Sequence, residues 1–161
     1  VFLATKGTAC GLRIREMIGD ESVRFYFSPY MRARQTLLAI LKAFDDQEVE
    51  VASEPRLREQ DFGNFQDPER MDLIFKEREK FGRFWFRFPN GEAGTDVFDR
   101  TSDFISSMFN GMDRAGLHDG ETKIPAEKIE NYVLVTHGLL MRIFCMCYLK
   151  WTVVEFEQVW N

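Results

Sequence analysis

The stretch that most constrains this chain is Tyr132–Gly138, YVLVTHG, together with the residues behind it, LLMRIFCMCYLKW. An apolar, β-branched run enters a Thr-His-Gly turn, and a second apolar run leaves it. The first run fits a strand covered on both faces, as in a parallel sheet. The second is long enough for a buried helix. Such a strand ends by delivering His137 to the carboxyl edge of the sheet, where ligands of open α/β folds bind. The rest of the chain can therefore be searched for groups able to work with His137.

The 161 residues suffice for one domain with a real core. A formal net charge of -5 argues against a nucleic-acid partner, which a basic excess would mark. It leaves room for a small anionic substrate, because a few placed arginines make a positive cleft in an acidic protein. Cys10, Cys145 and Cys147 form neither a disulfide framework nor a zinc pattern, and read as buried free thiols of a reducing compartment. That usage and the lack of a targeting segment point to the cytoplasm. No run is long enough to span a bilayer.

Taken in order, Thr5–Gly19 places Cys10, Ile14, Met17 and Ile18 at helical spacing and ends on a capping glycine. Arg24–Phe27 reads as a strand entering Ser28-Pro29. Arg32–Phe44 puts Ala33, Leu37, Ile40, Leu41 and Phe44 on one helical stripe. Val49–Ser53 is a second strand with one wetter face. Helix, strand, helix, strand is the pattern of a layered α/β fold.

Arg56–Phe65 has no period and reads as a loop. Asp67-Pro68 looks like a helix start, with the helix running through Met71, Ile74 and Phe75 to about Lys80. The aromatic run Phe81–Phe88 reads as core packing and closes in a Pro89-Asn90-Gly91 turn. Thr95–Phe109 is another helix, capped by Thr95, with Phe98, Thr101, Ile105, Met108 and Phe109 inward. Gly111–Lys128 reads as a polar surface loop. Trp151–Phe156 carries a capping box with Trp151 and Phe156 as a hydrophobic staple. One domain over 1–161 is the economical reading.

The chemistry candidates are few. His137 by itself reads more readily as a satisfied core histidine than as a functional one, and its place before Gly138 at a helix start adds weight to the second reading. Free backbone N–H groups there suit an anion. Arg32 and Arg34 open a helix, where a cation opposes the macrodipole. A residue that breaks a local rule is a fair functional candidate, against a solvated arginine as the alternative. Glu59 lies in the loop after a strand, as a surface carboxylate or a functional one. His118 reads as structural or solvated. A guanidinium, a carboxyl and an imidazole from successive strand ends suit phosphoryl chemistry: bidentate phosphate binding, protonation of the leaving oxygen, and stabilisation of the transferring group.

SPYMRARQT (Ser28–Thr36), LREQDFG (Leu57–Gly63), FPNGEAGTDVFDR (Phe88–Arg100) and VTHG (Val135–Gly138) together resemble the ordered motifs of the histidine phosphatase superfamily. REQDFGNF, FGRFWFRFPNGE and the HGLLMRIFCMCYLKWTVVEFE tail resemble its eukaryotic phosphoglycerate mutase-like branch of plants, algae and fungi. The resemblance implies a three-layer α/β/α, phosphoglycerate mutase-like fold, with a mostly parallel sheet and helices on both faces. It implies that Arg32 contacts the phosphoryl group, that Glu59 protonates the leaving group, and that His137 contacts the phosphoryl oxygens. Gly138 and the Gly91-Glu92 pair would line the same pocket, with no metal or organic cofactor required.

The same resemblance places the nucleophile on a histidine of an Arg-His-Gly motif ahead of Leu3–Gly7. The chain begins at Val1 without it, and neither His137 nor His118 can replace it. The expectation is therefore an incomplete domain lacking the first and last strands of the fold, with an empty central strand position. The intact protein would be a phosphomonoester phosphatase or phosphoglycerate mutase-like phosphotransferase acting through phosphohistidine on a small phosphorylated substrate or a phosphoprotein. This chain alone would be inactive. The alternatives are a catalytically dead phosphate-binding or regulatory protein, and an interaction domain using the aromatic segment. Nothing in the sequence fixes the oligomeric state.

Overall fold

The computed structural model describes residues 2–63, 68–116 and 129–159. In chain order these form α1 (Phe2–Ile18), β1 (Val23–Phe27), α2 (Met31–Leu41), β2 (Glu50–Ser53), α3 (Pro68–Phe81), α4 (Gly94–Gly116), β3 (Asn131–Val135), α5 (Gly138–Leu149) and α6 (Val153–Gln158). Short 3-10 turns follow α2 at Lys42–Phe44 and β2 at Pro55–Leu57. The strands form one parallel sheet in the order β2-β1-β3, flanked by helices.

The chain folds as two compact units. The first comprises Val1–Arg58 and Ser107–Thr136, and the second Glu59–Ser106 and His137–Asn161. The first holds the whole sheet. Parallel neighbours need a crossover, and α2 supplies it between β1 and β2. Val23 and Phe25 point inward from β1 and pack with Ala33, Leu37 and Ile40 of α2 and with Phe44, whose ring meets Phe25 edge-on at 5.3 Å. Each buried phenylalanine contributes on the order of 2–3 kcal/mol. Edge strand β2 keeps Glu50 and Val51 exposed, and Glu50 accepts from its registered neighbour Arg24 at 2.6 Å. A charge on an edge strand blunts unwanted pairing.

Helix α1 departs from the expected stripe. Met17 is 76% exposed and Cys10 is exposed, while Gly7 and Gly11 are buried against α2. A Cβ on Gly7 would meet the Ala39 Cβ at 2.6 Å, and one on Gly11 would collide with the Ile40 carbonyl. Close backbone contact through two glycines one turn apart seats α1, with Ile14 and Ile18 packing against the core beyond them. Strand β3 also differs. Only Val135 is buried and its other residues are half-covered, as befits the outer strand of this sheet among the described residues. The empty central position is not found either. β1 pairs continuously with β2 and β3, so a further strand could join only at an edge.

Helix α4 buries Val97, Thr101, Phe104 and Met108, so Thr101 and Met108 face inward as expected, Phe98 and Ile105 are half-buried, and Phe109 is 41% exposed. Thr95 is not the cap. The helix starts at Gly94, and the Asp96 carboxylate returns to accept from the Ala93 N–H at 2.8 Å. At its far end α4 continues to Gly116, where a loop was expected from Gly111. Asp67 and residues 117–128, His118 among them, lie outside the described residues. The aromatic run is core only in part, with Phe81 and Trp85 exposed. Phe84 and Phe88 are buried, Phe84 meeting Phe98 and Phe156, and Phe88 meeting Phe62 and Phe75. Cys147 is buried, and burial pushes its thiol up to about 11. The Thr152–Glu155 capping box closes both ways at the start of α6.

Candidate functional site

The carboxyl ends of the strands are stitched together. The Ser28 N–H donates to the Val135 carbonyl at 2.9 Å, and the Glu54 N–H to the Phe27 carbonyl at 2.9 Å. The Thr136 hydroxyl donates to the Leu57 carbonyl at 2.8 Å. The chain then leaves the first unit twice, and the next residues are Glu59 and His137. Both sequence candidates thus open their segments of the second unit directly after tethered backbone.

Within that unit Glu59 and the start of α5 meet. His137 is the N-cap of α5, 8% exposed, with extended backbone at φ -124 and ψ 165 and no side-chain cap bond of its own. No acidic residue lies in the first turn. The cap comes from 80 residues away: one Glu59 oxygen accepts from the Leu139 N–H and the other from the Leu140 N–H, each at 3.3 Å. These are the second and third helical N–H groups, the donors an Asp or Ser cap would satisfy. The Gln60 N–H adds a third bond at 3.0 Å. The expected free N–H groups for an anion are therefore partly taken: two are filled by a carboxylate, which the positive end of the helix favours for the same reason.

Glu92, expected in the pocket, has a different set of partners. Its oxygens take Arg100 at 3.1 and 3.0 Å, and one of them also accepts from the Asp61 N–H at 2.9 Å. Arg100 reaches on to the Glu59 carbonyl at 3.2 Å. The Gln60 side-chain amide donates to the Glu92 carbonyl at 2.9 Å, and the Glu92 N–H to the Asp61 carbonyl at 2.7 Å. The Glu92–Arg100 pair is thus tied to the chain from Glu59 to Asp61. Gly91 permits the approach, since a Cβ there would strike the Asp61 carbonyl.

A cleft of about 430 Å³ opens beside Glu59 and Leu139, and Arg78, Arg83 and Arg142 line it. Burial first, then repulsion from Arg83, holds the Arg78 and Arg142 guanidiniums below their ordinary range, with Glu157 acting the other way. Sequence reasoning missed all three. Arg142 did leave a signal, as a lone charge inside GLLMRIFCMCYL, whereas Arg78 is hidden among the charges of α3.

Arg32 belongs to the first unit. It is the second helical residue of α2, exposed, with its guanidinium 4.9 Å from the Tyr30 ring centre. The first turn of α2 holds no acidic residue, so the cation does stand against the dipole there.

The model of the histidine phosphatase superfamily (branch 1) matches residues 3–160. The chain belongs to this superfamily. Among curated histidine phosphatase relatives it is 46% identical over 156 residues to the phosphoglycerate mutase-like protein AT74H of Arabidopsis thaliana, covering 96% of this chain and 51% of that protein. It is 32% identical over 196 residues to the broad-range acid phosphatase DET1 of Saccharomyces cerevisiae, covering 88% of this chain and 56% of that protein. The chain therefore spans about half the length of these relatives. A mycobacterial glucosyl-3-phosphoglycerate phosphatase solved with inorganic phosphate shares the fold at a TM-score of 0.71 and 19% identity, over 98% of this chain and 72% of that one. Among the described residues no helix is long and apolar enough to cross a membrane.

Proposed function

We propose that the protein carrying this chain is a cytoplasmic phosphomonoester phosphatase that works through a phosphohistidine. The observation that carries the reading is the Glu59 carboxylate seated on the Leu139 and Leu140 N–H groups, because it joins two family motifs at the mouth of an arginine-lined cleft. In this reading Arg32 grips the phosphoryl oxygens, His137 donates to them as charge builds, and the backbone at Gly138 lines their site. A histidine outside the two in these residues attacks phosphorus; the bond to the alcohol oxygen breaks and Glu59 gives that oxygen its proton. Glu59, now a carboxylate, takes a proton from the water that releases phosphate. Glu92 acts through Arg100 to hold the Glu59 loop. No metal or organic cofactor enters any step.

Phosphatase is preferred to mutase because the yeast relative carries the name of a broad-range acid phosphatase. The substrate is a small phosphorylated molecule or a phosphoprotein. The test is phosphate release from para-nitrophenyl phosphate at mildly acidic pH. The whole protein should turn over and form an acid-labile phosphoenzyme, and the 161 residues alone should do neither. Arg32→Ala and His137→Ala should each lose about a hundredfold or more of the rate. Variants as fast as the parent would overturn the site assignment.

A further inference from the structure

We propose that Gln60 is a positioning residue: its side-chain amide holds the Glu59–Gln60 peptide in the orientation that aims the Glu59 carboxyl. This rests on Glu59 as the proton donor of the phosphatase reading and goes beyond it by saying what sets the donor's direction.

The peptide that joins Glu59 to Gln60 is held at both of its polar groups. Its carbonyl, that of Glu59, accepts from Arg100 at 3.2 Å. Its N–H, that of Gln60, donates to Glu59 Oε1 at 3.0 Å. A peptide unit is planar, so the two groups turn together, and a rotation that frees one disturbs the other. The Gln60 side chain is the strut against that rotation. The residue is 2% exposed, and its Nε2 donates to the Glu92 carbonyl at 2.9 Å. The carbonyl it faces fixes which end of the side chain is the amide, because an oxygen there would find no proton. Glu92 is itself anchored, its N–H donating to the Asp61 carbonyl at 2.7 Å. The Leu139 and Leu140 N–H groups reach the Glu59 carboxylate at 3.3 Å, long for such bonds, so the Gln60 N–H makes the shortest of the three.

Stability alone does not account for a glutamine here. Its Oε1 is buried with no hydrogen-bond partner among the described residues. A buried acceptor left unsatisfied is destabilising, and an apolar side chain of the same length would carry no such penalty. Nor does the Glu92 carbonyl depend on the amide alone, since the Phe88 N–H reaches it at 3.4 Å. A side chain that breaks a core rule while bracing the peptide beside a proton donor is placed for function. The chemistry supplies a way to see that function. In the proposed reaction Glu59 protonates the oxygen of the departing alcohol. An alkoxide leaves poorly and needs that proton, whereas para-nitrophenolate leaves well without it. A misaimed Glu59 therefore slows an alkyl ester more than an aryl one, and a general loosening of the structure slows both alike.

The test compares kcat/KM for ethyl phosphate and para-nitrophenyl phosphate in the whole protein, because that quantity spans the step in which the alcohol departs. Gln60→Met keeps the length of the side chain and removes the amide. It should raise the ratio of the para-nitrophenyl to the ethyl value by at least about fivefold, and Glu59→Gln should raise it further. The urea midpoint of Gln60→Met should stay within about 0.5 M of the parent's, but the ratio decides. A change in the ratio below about fivefold, whether or not both rates fall, overturns the positioning role and spares the phosphatase reading. If Gln60→Met does not fold, the ratio in Gln60→Asn decides, because the shorter amide cannot reach the Glu92 carbonyl without turning the peptide. A ratio unchanged in Glu59→Gln sinks Glu59 as the donor, and the role of Gln60 with it, while the phosphatase stands. A parent protein that hydrolyses neither ester sinks the phosphatase reading and this one together.

Discussion

At the scale of single residues, Arg100 shows how the second unit fixes a carboxyl in place without touching it. Its side chain is 10% exposed and that of its partner Glu92 14%. Removing one member leaves the other charge largely buried without its ionic partner, which costs more than the pair itself contributes. Arg100→Gln should therefore lower stability by about 3 kcal/mol. It should also lower kcat by tenfold to about a hundredfold with little change in KM, because the Glu59 carbonyl loses its tether. Arg100→Lys should recover stability better than rate, since an ammonium cannot span Glu92 and the Glu59 carbonyl as a planar fork does. Steady-state kinetics and urea unfolding read the two effects separately; a purely structural Arg100 would lower kcat and stability in step. Arg100 carried no signal in the sequence beyond membership of a motif. Its function depends on which backbone folds over it, and one-dimensional spacing does not contain that. Glu59 was legible as a candidate, but its role as the missing cap of α5 was not, because its partners lie 80 residues on.

Elements were more legible than the faces they bury. The periods at Thr5–Gly19 and Thr95–Phe109 found α1 and α4 and part of each inner face: Ile14 and Ile18 on α1 and Thr101 and Met108 on α4 turn inward, while Cys10, Met17 and Phe109 do not. On α1 the inner face is Gly7, Gly11, Ile14 and Ile18, and glycine registers on no hydrophobic count. Gly11→Ala should destabilise by about 1–3 kcal/mol, the usual cost of overpacking, because α2 backbone rather than a movable side chain stands in the way. Gly19, at φ +59 with open space around it, makes the control: its alanine variant pays only for left-handed backbone, about 1 kcal/mol. A Gly11→Ala protein as stable as its parent would mean that α1 does not seat through its glycines.

The start of α4 gives a pH signature. Arg87 first, with help from the Ala93 N–H, holds the Asp96 carboxyl below its usual range. A depressed folded value means a contribution present above the unfolded value, about pH 4, and lost as pH falls through the folded one. Asp96→Asn should flatten part of the stability loss below about pH 4, read from denaturant midpoints against pH. The overrun of α4 past Gly111 has a plain cause: a glycine inside a helix costs only about 1 kcal/mol, too little to stop one already propagating.

At the scale of the whole molecule, the chain passes between its two units three times: at Arg58–Glu59, inside α4 at Ser106–Ser107, and at Thr136–His137. Neither unit is a continuous stretch, and a single helix belongs to both. Melting either unit strips α4 of about half its length, and a helix end released from packing has little stability of its own. The expected outcome is one cooperative unfolding transition, which is what a single domain over these residues requires. The tryptophans permit a clean measurement. Trp85 and Trp151 belong to the second unit, so their fluorescence follows that unit. Far-UV circular dichroism follows helices of both, including α1 and α2. Urea curves from the two signals should share one midpoint and one slope. A fluorescence midpoint displaced from the dichroism midpoint by more than about 0.3 M would show the units unfolding separately, since urea slopes for small proteins make that about 0.3–1 kcal/mol.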